Sequence, residues 1–145
     1  MTEDSSGVHL WLVLWKTARA VERRAQASIE ALQMCQSDFG VLEALLNRGP
    51  LPVNQVGQKV LLTSGSITTA VDRLESKGLV ERRDSPDDRR VRMVSLTNRG
   101  RKLIQKAFAD HAADMERLAE VLDSQERTAL IRLLKKLGRG AESGL

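Results

Sequence analysis

The sequence predicts a mostly α-helical fold with one small β-hairpin, and three observations carry that prediction. Only 3% of the 145 residues are aromatic, there is no Tyr and there are three prolines; the Leu-, Ala-, Arg- and Glu-rich remainder is the composition of a helical protein. In the stretch 63–78, TSGSITTAVDRLESKG, Ile67, Ala70, Val71 and Leu74 recur at i, i+3, i+4 and i+7, the spacing of an inward-facing helical stripe. Two Val-rich segments that alternate with Arg follow at once, Val80–Asp84 and Arg90–Leu96, around the turn Ser85-Pro86-Asp87-Asp88. A helix that leads straight into a basic hairpin is the plan of a winged helix-turn-helix.

In chain order, residues 1–6 are expected to fray, and Ser5 or Ser6 to cap a helix from Gly7 to about Leu32. Its first half, VHLWLVLW, is apolar on nearly all sides and must be covered all round; in so short a chain a second subunit is the natural cover. Trp11 and Trp15 share one face at i and i+4, with His9 just before them. Packing at a core or dimer interface is the simpler role for them. A pocket for a flat aromatic or phenolic ligand, walled by His9, Trp11, Trp15 and Phe39, is the alternative.

Ser37-Asp38 is read as the cap of a second helix, Phe39 to Arg48, closed by Gly49-Pro50. Pro52 begins a short helix from Val53 to about Leu61 with Val53, Val56 and Val60 inward. Leu62-Thr63-Ser64 is then the turn into the helix at 64–77, which Thr63 or Ser64 caps and Gly78 ends. Thr97 caps a long helix over about Arg99–Leu122, with Gly100 in its first turn. Leu103, Ile104, Ala107, Phe108, Met115, Leu118, Val121 and Leu122 form its stripe. A last helix, Thr128–Leu137, starts at a Ser124 cap, and the tail GRGAESGL is expected to be disordered. The whole, 1–145, reads as one domain: a winged helix-turn-helix over 37–97 and a helical layer from 7–34 and 99–138.

The net charge of +4 is placed unevenly. Residues 1–62 carry six basic and six acidic residues, and residues 103–145 seven of each. Residues 63–102 carry ten basic against six acidic. An excess confined to one element is the footprint of a phosphate-binding surface, whereas a merely solvated charge run leaves the balance elsewhere unexplained. The helix at 64–77 also shows Ser66, Thr69 and Arg73 at i, i+3 and i+7. Hydroxyls are poorer helix formers than Glu or Lys but suit close approach and hydrogen bonding. Ser64, Ser66, Thr68 and Thr69 are therefore assigned to base edges and nearby phosphates of double-stranded DNA. Arg73 is assigned to a guanine or a phosphate, and Asp72 and Glu75 to solvated or paired helix positions.

Other chemistry is thin. Cys35 precedes the second helix, whose N-terminus favours a thiolate; an ordinary half-buried cysteine is the plainer reading and a thiol-based redox sensor the sharper one. One Cys and two His, His9 and His111, make no metal pattern, and no cofactor is expected. There is no nucleophile–base–orienter set, no glycine-rich phosphate loop and no carboxylate pair in an apolar setting, so no enzyme is expected. The polar start, a single cysteine and the lack of a long apolar run point to a cytoplasmic protein with no membrane span. A winged helix that binds protein as an adaptor is the competing class; it calls for an acidic or apolar third helix.

The run SGSIT-x-x-VDRLE-x-KGLV-x-R, then Asp88-Arg89-Arg90, Leu96-Thr97 and Gly100, resembles the MarR family of bacterial transcriptional regulators over about two-thirds of the chain. The likeness implies an obligate homodimer built from the first and last helices and acting on a pseudo-palindromic operator as a repressor. It implies a wing whose Arg90 enters the minor groove, oriented by Asp88, with Arg89 able to substitute. It also points to members that respond to phenolic or quinone-like compounds. The family's peroxide-sensing cysteines lie in the first helix near tyrosines, unlike Cys35.

Overall fold

The computed structural model describes residues 3–60 and 64–144; the predicted turn at 62–64, the Thr63 cap and the Ser64 side chain lie outside the described residues. Among the described residues six helices and three short strands follow in order: α1 (Gly7–Glu30), α2 (Gln36–Arg48), β1 (Leu51–Pro52), α3 (Val53–Lys59), α4 (Ser64–Ser76), β2 (Val80–Asp84), β3 (Arg92–Leu96), α5 (Asn98–Ala119) and α6 (Ser124–Ser143). They form two compact units, Met1–His111 and Ala112–Leu145. No described helix is long and apolar enough to cross a membrane.

In the first unit the core is built where α2, α3, α4 and the start of α5 bring their apolar stripes together. Leu42, Leu45, Val56, Val71, Leu74, Val94 and Ile104 are all but sealed from solvent. The predicted α4 stripe of Ile67, Ala70, Val71 and Leu74 is buried as expected. Its end is a Schellman turn: Gly78 takes φ +74°, its N–H donates to Glu75 O, and Leu79 N–H donates to Leu74 O at 3.0 Å. A left-handed residue is needed there, and glycine adopts it without a Cβ penalty.

The sheet has the order β1-β3-β2, antiparallel throughout. Strand β2 has the predicted bounds, and β3 starts at Arg92, two residues later than expected, because residues 85–91 form the hairpin loop. β1 was not anticipated: two residues around a proline carry no alternation to read, and they become a strand only by pairing Leu51 with Val94 and Pro52 with Met93. Thr97 is the cap expected for α5. Its hydroxyl accepts from Gly100 N–H at 3.0 Å and donates to Gly78 O at 2.7 Å, joining the end of α4 to the start of α5. A Cβ on Gly100 would stand 1.9 Å from Leu79 O, so no other residue fits there.

Three caps and ends differ from expectation. Cys35, not Ser37, is the N-cap residue of α2 and makes no side-chain cap bond; Asp38 sits in the first turn. In the second unit Asp123, not Ser124, caps α6, in a reciprocal capping box with Glu126 at 2.9 and 3.0 Å. The tail is not disordered, since α6 runs on to Ser143. Glycines at 138 and 140 are poor helix formers, yet α6 continues through both.

Both outer helices leave apolar surface in water. Val8, Leu10, Trp11, Val13 and Trp15 of α1 are 48–68% exposed, and α6 buries none of its residues.

Candidate nucleic-acid interface

The α4 helix presents two faces. Opposite its buried stripe, Ser66, Thr68 and Thr69 are exposed, and Thr69 Oγ1 donates to Gly65 O at 3.0 Å, which leaves its lone pairs toward the outside. Small hydroxyls here allow the backbone of α4 to approach a partner closely.

Arg73, the candidate for a base or a phosphate, is paired within the chain. Its Nε donates to both Asp38 carboxylate oxygens at 3.1 Å, and an Nη2 contact to Oδ1 closes the pair at 2.5 Å. The same Nη2 lies 3.5 Å from Ser37 Oγ and 3.6 Å from Cys35 Sγ. The Asp38 hydrogen bonds raise the Arg73 pKa above its ordinary value. The guanidinium is thus paired at the N-terminus of α2, with the Arg73 side chain still 40% exposed.

Asp72 and Glu75 are paired, as anticipated, and their partner is Arg82 of β2. Arg82 Nη1 reaches Glu75 at 2.9 Å, Nη2 reaches Asp72 at 2.5 Å, and the Arg82 amide donates to Glu75 Oε2 at 3.0 Å. This ties the hairpin base to α4. The signal in the sequence was faint: two acids at i and i+3 and an arginine on the inward phase of VERRD.

At the hairpin tip the loop closes on itself. Ser85 N–H donates to Val91 O, and Val91 N–H donates to Asp88 O. Asp88 Oδ1 accepts from the Arg90 amide at 3.0 Å and from Arg90 Nε at 3.3 Å. The Arg90 side chain is 91% exposed, so Asp88 orients a cation that otherwise projects into solvent. Arg89 is exposed beside it.

The other candidates do not gather. Phe39 is 6% exposed in the core and meets His111 edge-on at 5.0 Å, whereas Trp11 and Trp15 face solvent from α1, with Arg19 stacked 5.4 Å over Trp15. An open cavity of about 1040 Å³ does exist in the first unit, but none of His9, Trp11, Trp15 and Phe39 lines it. It lies between the 31–35 segment, α2, the end of α4 and the start of α5, floored by Leu42, Leu74 and Leu79 and rimmed by Lys77, Arg99 and Lys102. Cys35 is exposed, not half-buried, with Ser37 Oγ 3.3 Å away. No group of three or more His, Cys, Asp or Glu that could hold a metal is found among the described residues.

An exposed hydroxyl face on the third helix of a compact lobe, followed by a hairpin with an oriented arginine at its tip, defines a winged helix-turn-helix DNA-binding protein. Comparison with known proteins narrows the class. The MarR family model matches residues 36–91. The HTH-type transcriptional regulator MhqR of Bacillus subtilis is 38% identical over 142 residues, covering 98% of this chain and 97% of that protein. The HTH-type transcriptional repressor MdtR of the same organism is 29% identical over 116 residues, 80% of this chain and 75% of that one. A mutant of E. coli MarR complexed with operator DNA superposes with a TM-score of 0.77 at 24% identity, over 90% of this chain and 94% of that one. The chain belongs to the MarR family of helix-turn-helix transcriptional regulators, and it is not an enzyme.

Proposed function

We propose that the protein is a repressor that binds a pseudo-palindromic operator as a homodimer in the cytoplasm. Ser64, Ser66, Thr68 and Thr69 of α4 meet the major groove, and Arg90, oriented by Asp88 and backed by Arg89, enters the flanking minor groove. The observation that carries this reading is the wing tip: a 91%-exposed arginine with its Nε held at 3.3 Å by a neighbouring carboxylate is prepared for an anionic partner. The adaptor reading loses support from the same surface, which is neither acidic nor apolar. MdtR is named a repressor, and the E. coli MarR structure carries operator DNA; both agree with the proposal.

The homodimer is supported by the apolar surface that a single chain leaves uncovered. On α1 this is the Val8–Trp15 face, and on α6 it is Leu130, Ile131, Leu133, Leu134 and Leu137, each 38–54% exposed. Apolar positions this numerous on two helices far exceed the scattered exposed leucine of an ordinary surface. A small aromatic or phenolic effector belongs to the same proposal, at the exposed indoles of α1. Phe39, being in the core, drops out of that site. The thiol-based alternative rests on exposed Cys35, whose Sγ lies 3.6 Å from Arg73 Nη2 and 3.3 Å from Ser37 Oγ.

The test is a gel shift with the full-length protein on a duplex selected by it from a random pool, repeated across salt concentrations. The reading requires tight binding that weakens steeply as salt rises, because phosphate contacts release counterions. Salt-independent binding, or none, overturns it.

A further inference from the structure

Arg73 lies on the same stripe of α4 as Ser66 and Thr69, yet the structure assigns it the opposite duty. We infer that Arg73 is a positioning residue that, clamped to Asp38, fixes the roll and depth of the recognition helix and does not itself read DNA. This rests on the proposal that α4 enters the major groove.

The geometry supports the inference in three ways. The Asp38 side chain is 5% exposed, and a carboxylate so deeply buried is tolerated only when it is paired and hydrogen-bonded. Arg73 supplies two forked donors, and Lys77 adds a second cation 3.8 Å away. To deliver Arg73 to DNA would leave that carboxylate with Lys77 alone, 3.8 Å away. Secondly, the contacts of α4 with the core are aliphatic: Ile67, Ala70, Val71 and Leu74. Such a stripe fixes which side faces inward but resists small rotations weakly, since dispersion contacts are not directional. A bidentate arginine–carboxylate pair adds direction. Thirdly, Arg73 is seven residues beyond Ser66, about 10 Å along the axis. The first two turns of that stripe are therefore open to a groove while the third is bound to α2, so the clamp marks how much of α4 can insert.

Asp38 also sits in the first turn of α2, where the helix dipole favours its charge. The clamp is thereby referenced to the core of the first unit and not to the wing.

The distinguishing experiment uses the full-length protein and two probes, the selected duplex and a random-sequence duplex of equal length, below the unfolding temperature. Wild-type binding to the random duplex, with its salt slope, checks the underlying DNA-binding proposal independently. Asp38→Asn and Arg73→Lys should each lower the ratio of selected to random affinity at least tenfold. The double variant should fall no further than either, since the two side chains act as one unit. The salt slope on the random duplex should stay at the wild-type value. A purely stabilising role would lower the melting temperature and leave the ratio intact, which overturns the inference. A phosphate-contact role is revealed by Arg73→Met if the slope falls by about 0.9 per lost contact; that too overturns it. Selected-duplex binding by Asp38→Asn as tight as wild type, or tighter, means that releasing Arg73 helps, and the inference fails. Should Asp38→Asn not fold, Arg73→Lys decides alone, because it keeps the charge and loses the fork.

Discussion

The α4 and α6 helices carry similar apolar stripes and end up in opposite circumstances. In α4, Ile67, Ala70, Val71 and Leu74 are 0–2% exposed; in α6, Leu130, Ile131, Leu133, Leu134 and Leu137 are 38–54% exposed. Each has a competent terminus: the Schellman turn at Gly78 and the capping box at Asp123. Local signals therefore specify both helices equally well. What differs is that the stripe of α4 is covered within the first unit, while the apolar residues of α6 and the tryptophan face of α1 stay exposed. An amphipathic helix whose apolar face stays in water gains little from folding alone, so the contrast is the one the proposed homodimer accounts for.

The contrast breaks most dramatically at the outer helices. Leu130→Asp together with Leu134→Asp should abolish self-association and lower operator affinity at least a hundredfold, because two half-sites must be held at once. Sedimentation velocity at micromolar concentration checks it; an intact variant dimer places the interface elsewhere.

Within the lobe, the largest effect should come from Gly100→Ala. A methyl group directed at Leu79 O forces the α4–α5 junction apart, at about 3 kcal/mol, the upper end for overpacking. Denaturant titration should show a lowered midpoint with an unchanged slope.

At the wing, Arg90→Ala should weaken operator binding by about 1–3 kcal/mol, and Asp88→Ala by less but in the same direction. Tighter binding by Asp88→Ala would mean that the carboxylate only repels DNA.

The smallest effect concerns His111. Its ring accepts or donates to Ser28 Oγ at 3.1 Å, and burial lowers its pKa from the ordinary 6.5, against a weaker raising pull from Glu43. A depressed histidine pKa favours the neutral form in the folded state. The associated stability is present above pH 6.5 and is lost as pH falls below it, because the unfolded chain takes up the proton first. Thermal melts from pH 7.5 to 5.5 should show a small decline that His111→Gln removes.

Much of this was legible in the sequence, because helices with period 3.6, the Gly78 stop, the Thr97 cap and the β2 strand are local features. The Asp88–Arg90 pairing was legible through the family likeness, and its geometry agrees. Two pairings that the sequence hides share a cause. Pro52 becomes strand only through Met93, forty-one residues on, and Arg73 pairs with Asp38, thirty-five residues back. Neither pairing leaves a periodicity. The tail expected to be disordered is helical through Ser143, as a continuation of α6.

Hydroxyl-radical footprinting of the full-length protein on the selected duplex tests the central claim most directly. Two recognition helices in one dimer should protect two patches on one face of the DNA, centred about 10 base pairs apart and related by the pseudo-palindrome. A single protected patch at saturation would contradict the account.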